Sequence, residues 1–324
     1  MMQNTLQQLI LKTTGAEAIS RHAVVQQLWS GYGEIVRYGL RGTNRPSVIA
    51  KQIKLPCYSG HALAQERKRH SYQVEQLWYE QWGSRCTAAC RIPACLASAT
   101  YGDTLVLILE DLHSAGFTVC NPLVSSTHLQ TCLRWLAHFH ATFLGVVPTG
   151  LWPTGTYWHL ATRPDELRAL PDRALQQAAA AIEHKLSASP YQTLVHGDAK
   201  LANFCFSRDG QTVAAVDFQY VGGGCGMKDV AYFIDSCLDA HACEEQTQHW
   251  LDYYFTALRQ ALQQQSKAVD ANALEQDWRA LFAYAWTDFH RFLKGWSPGY
   301  WHPDSYSERV ARAVIRQLQQ ATPE

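Results

Sequence analysis

The sequence predicts an α+β protein, with a small β-rich N-terminal lobe over residues 1–111 and a larger helical lobe over residues 112–324. Three observations lead there. At 324 residues the chain exceeds the usual single-domain size of ~100–200, so two lobes sharing one cleft are expected. Strand-like patterns fall in the first third, where Ser47–Lys54 alternates and Thr104–Leu109 is nearly continuously apolar. From about Ser126 onward, apolar residues recur mostly at helical spacing.

The composition narrows the class of partner. Hydrophobic residues make up 47% and charged ones 17%, the balance of a globular chain with a large core. Lysine and arginine number 28 against 28 acidic residues, so no global basic field exists for nucleic acid or anionic lipid. The ten cysteines are scattered; Cys86, Cys90 and Cys95 cluster, but no C-x-x-C or paired zinc-ligand spacing occurs. In a chain this long that pattern reads as reduced thiols and a cytoplasmic setting, not a disulfide framework. The N-terminus lacks a basic-then-apolar signal, and the longest apolar run, Leu105–Leu109, is too short to span a bilayer. Neither a nucleic-acid nor a membrane partner is expected, and the sequence leaves the oligomeric state open.

Residues 1–28 read as helical, with Leu6, Leu9, Ile10 and Leu11 as an apolar face and Gly15 as a break. In Leu28-Trp29-Ser30-Gly31-Tyr32-Gly33, the two glycines fit either a plain hairpin turn or a backbone approach to phosphate. Ser47–Lys54 is a strand ending at Pro56, in which Ile49, Lys51 and Ile53 share one face. A lysine on an apolar face needs a counter-charge, whereas Lys54 is better placed for water. Two surface lysines are the plainer reading. Leu63–Trp82 forms a helix that places Tyr72, Glu75 and Tyr79 near one face. Glu75 is the candidate partner of Lys51, with Glu66 and Glu80 as less amphipathic alternatives.

Asn121-Pro122 marks a turn before a helix over 126–144 carrying Leu129, Leu133, Leu136, Phe139 and Phe143, a core stripe. Leu151–His159 is an aromatic loop, and 164–187 is mostly helical. Gly222–Gly226 reads as a flexible run, Asp229 as a helix-start cap, and 244–265 and 272–294 as helices.

The chemistry concentrates in Leu194–Phe204 and Ala215–Gln219, where two apolar runs each end in an aspartate. Buried strands delivering carboxylates to a loop suit phosphoryl transfer, one to orient a hydroxyl and one to hold Mg²⁺ beside phosphates. Asp198-x-Lys200-x-x-Asn203 matches the D-x-K-x-x-N of a protein-kinase catalytic loop, with His-Gly-Asp in place of His-Arg-Asp. Val48-Ile49-Ala50-Lys51 echoes the V-A-I-K of the kinase phosphate-binding strand. Two aspartates capping turns are the plain alternative, but several parts of one template agree in order.

With His196-Gly197-Asp198, Asn203, Val216-Asp217-Phe218-Gln219, Ser71–Glu75 and Leu109–Leu112, the chain resembles the choline-kinase-like and aminoglycoside-phosphotransferase-like small-molecule kinases. It looks most like the ecdysteroid-kinase-like branch and its bacterial relatives. The resemblance implies a protein-kinase-like fold with ATP and Mg²⁺ as cofactors and a small-molecule hydroxyl as acceptor. Carried over, it makes Asp198 the base, Asn203 and Asp217 the Mg²⁺ ligands, Lys51 the phosphate contact and Glu75 its ion-pair partner. His196 would hold the loop, and Glu110 and Leu112 would offer backbone groups to the adenine. Lys200 would offset charge on the moving phosphoryl, unless it is only a surface lysine. Gly31 and Gly33 do not complete a G-x-G-x-x-G, and Phe218-Gln219 replaces the Phe-Gly of protein kinases.

A nucleotide-binding pseudokinase without turnover is the competing class; a protein kinase is disfavoured by His-Gly-Asp and Asp-Phe-Gln. For the acceptor pocket the candidates are Asp288, Trp286 and Trp296, with Tyr300 and Trp301 beside them. Their aromatic faces suit a cation, a sugar or a steroid, and core packing is the alternative for each.

Overall fold

The computed structural model of the chain describes residues 2–28, 31–55, 62–120, 122–297, 299 and 302–321. Trp29, Ser30, Pro56, Asn121, Tyr300 and Trp301, which entered the sequence reading, lie outside the described residues. In chain order the elements are α1 (Met2–Thr14), β1 (Ala18–Gln27), β2 (Gly33–Arg41), β3 (Ser47–Lys54), α2 (Ala62–Leu77), β4 (Cys95–Tyr101), β5 (Thr104–Glu110) and β6 (Val119–Cys120). There follow α3 (Ser126–Phe143), α4 (Pro164–Ala169), α5 (Arg173–Ser187), β7 (Thr193–Val195), β8 (Phe204–Phe206), β9 (Val213–Ala215) and β10 (Gly222–Gly224). The chain closes with α6 (Met227–Cys237), α7 (Ala240–Gln264), α8 (Ala271–Trp296) and α9 (Tyr306–Ala321).

The chain divides into two compact units. The first comprises Met1–Pro122 and Phe204–Gln219, so the division differs from a single cut after residue 111. Its main sheet is antiparallel in the order β1-β2-β3-β5-β4. Val48 and Ala50 of β3 and Val106 and Ile108 of β5 pack with Leu6 and Ile10 of α1. The alternate positions project from the opposite face. There Lys51 is paired with Leu107 and Ile53 with Leu105 across the ladder. Lys54 is exposed, as its place in the strand requires.

One expectation fails here. Residues 18–27 are a strand, not the second half of an N-terminal helix. Gly15 ends α1 at φ +66°, its N–H donating to the Leu11 carbonyl at 2.9 Å, and β1 then pairs antiparallel with β2. This edge strand is almost wholly exposed, so its conformation comes from the ladder and not from an apolar pattern. The helix expected over 63–82 forms, but its last turn, Trp78–Trp82, widens to a π-helix.

The second unit, Leu123–Asn203 and Tyr220–Glu324, is helical. Ser125 caps α3 by accepting from the His128 N–H, and the predicted stripe Leu129, Leu133, Leu136, Phe139 and Phe143 is buried. α3 packs on α7, while α8 contacts α4, α5, α6 and α9. The glycine run expected to be flexible is instead β10, antiparallel to β7, with Gly223 also donating to the Trp152 carbonyl at 3.0 Å. Helix α9 was not anticipated from the sequence. Among the described residues no helix is long and apolar enough to cross a membrane.

Candidate functional site

In the first unit, Lys51 and Glu75 meet. The Lys51 Nζ lies 2.8 and 2.6 Å from the two Glu75 carboxylate oxygens, and both side chains are buried. Glu66 and Glu80 are not the partners; the amphipathic face of α2 selected the right glutamate. Asp217 Oδ1 stands 3.9 Å from the same ammonium. Burial alone would depress the lysine, but Glu75 and Asp217 outweigh it and hold Lys51 above its ordinary value. Asp217 sits at φ +69°, a left-handed conformation that costs a non-glycine residue about 1 kcal/mol. Its side chain keeps 35% of its exposure, and Oδ1 accepts from Gln219 Nε2 at 2.7 Å. Phe218 anchors this turn on the π-turn that follows α2, stacked on Trp78 at 4.7 Å and edge-on to Tyr79. Lys51 thus faces two carboxylates, and the more exposed one is held in a strained conformation.

In the second unit, the loop after β7 carries Asp198. Gly197 is required there: at φ +82°, a Cβ would lie 2.1 Å from the Tyr220 carbonyl. Asp229 is not the helix cap expected of it. α6 begins after Gly226, and the Asp229 carboxylate accepts the His196 N–H at 2.6 Å and the Gly197 N–H at 2.9 Å. It is itself held by His140 Nε2 at 3.2 Å, so a buried carboxylate satisfies the orphan amides of the loop. His196 Nδ1 accepts from the Asp198 N–H at 3.3 Å.

Both Asp198 oxygens receive donors. Tyr232 Oη donates to Oδ1 at 3.1 Å, and Asn203 Nδ2 donates to Oδ2 at 2.9 Å and to the Asp198 carbonyl at 2.8 Å. Lys200 Nζ is 3.2 Å from Oδ2 and 41% exposed. With its amide nitrogen committed to Asp198, Asn203 keeps its Oδ1 as its acceptor atom. Burial and the negative Asp198 push the Tyr232 hydroxyl far up, so it stays a proton donor.

The oxygens of Asn203 and Asp217 are hard donors of the kind Mg²⁺ takes. Mg²⁺ needs only one or two protein ligands when phosphates supply the others. Among the described residues no three His, Cys, Asp or Glu side chains gather as a self-sufficient metal centre. Asn203 and Asp217, each by itself, therefore offer the kind of oxygen that a cation shared with a phosphate ligand takes.

Residues 155–267 match the Ecdysteroid kinase-like family model. That span holds Asp198, Asn203, Asp217 and Asp229. No curated protein matches the sequence. A microcompartment-associated aminopropanol kinase is similar in structure over 98% of this chain and 98% of its own, at 14% identity and a TM-score of 0.55. Aminoglycoside 2'-phosphotransferase-IIIa, solved with GDP, aligns over 98% of this chain and 97% of its own, at 11% identity and a TM-score of 0.50. These likenesses establish the fold, which is protein-kinase-like, with a small antiparallel-sheet unit and a larger helical one.

Other predicted positions are engaged elsewhere. Gly31 (φ +71°) and Gly33 lie at the β1–β2 hairpin, and a Cβ on Gly33 would stand 1.9 Å from the Gln52 carbonyl. Close pairing with β3 already explains that glycine. The Glu110 carboxylate is held by Arg91 at 2.6 and 2.7 Å and by the Ala94 N–H at 3.0 Å. The Leu112 carbonyl accepts from the Phe117 N–H at 2.9 Å.

Of the acceptor-pocket candidates, Asp288 and Trp286 lie in the core and Trp296 at the surface. Asp288 is buried, bonded to Arg291 Nη2 at 2.8 Å and Trp158 Nε1 at 3.1 Å, with Lys228 Nζ at 3.5 Å. Burial alone would raise its carboxyl, but Arg291 and Lys228 prevail and hold it below the ordinary aspartate value. Trp286 is also core, its Nε1 donating to Ser307 Oγ at 2.9 Å. Trp296 is 63% exposed and stacks on Phe292.

Asp235 was missed. It lies one helical turn beyond Tyr232 on α6 and close enough to Tyr157 for their charges to interact. Among the described residues nothing hydrogen-bonds or ion-pairs with its carboxylate. Burial alone pushes it up to about 6. Tyr157 and Tyr232 pack edge-on at 5.6 Å beside it. The only sequence signal was a carboxylate one helical turn from an aromatic residue, which many surface helices show.

Proposed function

We propose that this chain is an ATP-dependent phosphotransferase that moves the γ-phosphoryl group of ATP to a hydroxyl of a small molecule. The observation that supports it most is the Lys51–Glu75–Asp217 cluster. A buried ammonium fixed by Glu75, with the Asp217 carboxylate 3.9 Å away, is the arrangement in which a strand lysine is held in place to meet phosphate.

On this reading Lys51 contacts the ATP phosphates and Glu75 holds it in place. Asn203 and Asp217 hold the Mg²⁺ ion, which orients the phosphates and neutralises charge as it builds. Asp198 accepts the acceptor's hydroxyl hydrogen bond and takes the proton as the new oxygen–phosphorus bond forms and the bond to ADP breaks. Tyr232, Asn203 and Lys200 fix the Asp198 carboxylate for that role, and Lys200 also offsets phosphoryl charge. The unpaired Asp235 next to Tyr157 and Tyr232 favours an alcohol that carries an amine.

The test follows ADP release with Mg·ATP across a panel of alcohols with and without amines. The expected result is turnover with at least one amine-bearing alcohol, lowered about 10²–10⁴-fold in Asp198→Asn. A variant as fast as the parent would remove Asp198 as the base. ATP binding without ADP release for any alcohol would leave a nucleotide-binding module instead.

A further inference from the structure

Away from the Lys51 cluster and the Asp198 loop, Cys120 and Cys205 stand together in the first unit. Strands β6 and β8 are antiparallel, with Cys120 opposite Cys205 and Val119 opposite Phe206. Directly opposed residues on such a ladder project to one face. The two Sγ atoms lie 3.2 Å apart. Opposed positions have Cα separations of about 4.5–5.5 Å, within the ~4.4–6.8 Å that a disulfide spans. Neither thiol is shut away from reagents, since Cys120 is exposed and Cys205 partly so.

We propose that Cys120 and Cys205 form an oxidative modification site, a dithiol that hydrogen peroxide converts to a disulfide. In the first step the Cys120 sulfur attacks a peroxide oxygen. A sulfur–oxygen bond forms, the oxygen–oxygen bond breaks, and the departing hydroxide leaves as water with the thiol proton. The Cys205 sulfur then attacks the sulfenic sulfur, forming the disulfide and expelling a second water with its own proton. The two thiols lose two electrons and the peroxide gains them. A dithiol reductant reverses the bond by exchange.

The order of attack follows from the surroundings. The contact with Cys205, 3.2 Å away, and the Arg37 charge bring Cys120 down to about 7 against the effect of burial. Burial pushes Cys225, Cys237 and Cys243 up to about 12, which makes them poor nucleophiles. Cys205 also lies two residues after Asn203, and the β8–β9 ladder leads on to Asp217. The disulfide would therefore brace the segment that carries both proposed metal ligands; this last point alone rests on the reading above.

The whole chain is treated with one equivalent of hydrogen peroxide, digested without reductant and mapped by mass spectrometry. The expected outcome is a cross-linked peptide joining Cys120 to Cys205, with one pair lost from the ten thiols and restored by dithiothreitol. Cys205→Ser should trap a sulfenic acid on Cys120 that dimedone labels, whereas Cys120→Ser should leave Cys205 unlabelled. Intact thiols at both positions, or oxidation spread evenly over the other cysteines, would overturn the proposal. The readout needs no phosphoryl transfer, so failure here and failure of the kinase reading are separate results.

Discussion

The surroundings of Asp288 and of Asp198, both in the second unit, balance their charges in opposite ways. Around Asp288 one buried carboxylate faces two buried cations and an indole N–H, so both of its oxygens are engaged. Around Asp198 the donors are a tyrosine, an asparagine amide and an exposed lysine, and nearby Asp235 has no donor among the described residues. Buried charge that is fully paired holds elements together. Buried acid left without a partner raises the energy of the folded chain unless something else binds it. Residue type does not separate the two cases, since each centre is an aspartate among aromatics.

The largest effect expected from this contrast is on stability. Asp288→Asn strands Arg291 and Lys228 without their counter-charge and should cost about 3–5 kcal/mol in denaturant unfolding. For the fraction that folds, the acceptor KM should stay at the parent value. A stable variant with an altered acceptor KM would break the contrast and return Asp288 to the substrate.

Asp235→Asn should do the reverse. With an amine-bearing alcohol, KM for the acceptor should rise about 10–100-fold while KM for ATP holds, since the change removes a charge-assisted contact. In the parent that KM should fall as pH rises through about 6, where Asp235 becomes charged, and the variant should show no such step. The stability sign is also opposite to that of a structural carboxylate. The Asp235 pKa is raised on folding, so between 3.8 and about 6 the folded state binds more protons, and stability falls as pH rises. Asp235→Asn should therefore melt higher than the parent above pH 6. A lower melting temperature there would make Asp235 structural.

The smallest effect lies in a second closed network, where Glu308 accepts from Lys294 at 2.8 Å and Arg312 at 2.6 Å and contacts His290 at 3.0 Å. Burial would raise Glu308, but His290, Lys294 and Arg312 bring it down to about 2 from an ordinary 4.5. Its stabilisation is then present above 4.5 and lost as pH falls toward 2. Glu308→Gln should flatten the melting-temperature slope in that window, read by calorimetry. An unchanged slope would remove Glu308 from the acid response.

Much of the candidate site was legible because its positions follow from short-range periodicity. The two-residue period of β3 put Lys51 on an apolar face, and the helical period of α2 put Glu75 where a partner was needed. Asp235 and the role of Asp229 were not legible, because each depends on which segments pack nearby. Asp229 reads as a helix cap until β7 and its loop bring the His196 and Gly197 amides to it.

By itself the sequence determined the helices, the central strands, the chemical residues of the Asp198 loop, and the pairing of Lys51 with Glu75. These rest on side-chain spacing along one element, which a single chain displays directly. Only the tertiary structure decided that residues 18–27 are a strand, that the glycine run is paired with β7, that Asp288 is closed in by Arg291 and Lys228, and that Cys120 faces Cys205. Each of these is settled by a partner distant in the chain, through a hydrogen-bond ladder or a charge whose burial is tolerable only when that partner arrives.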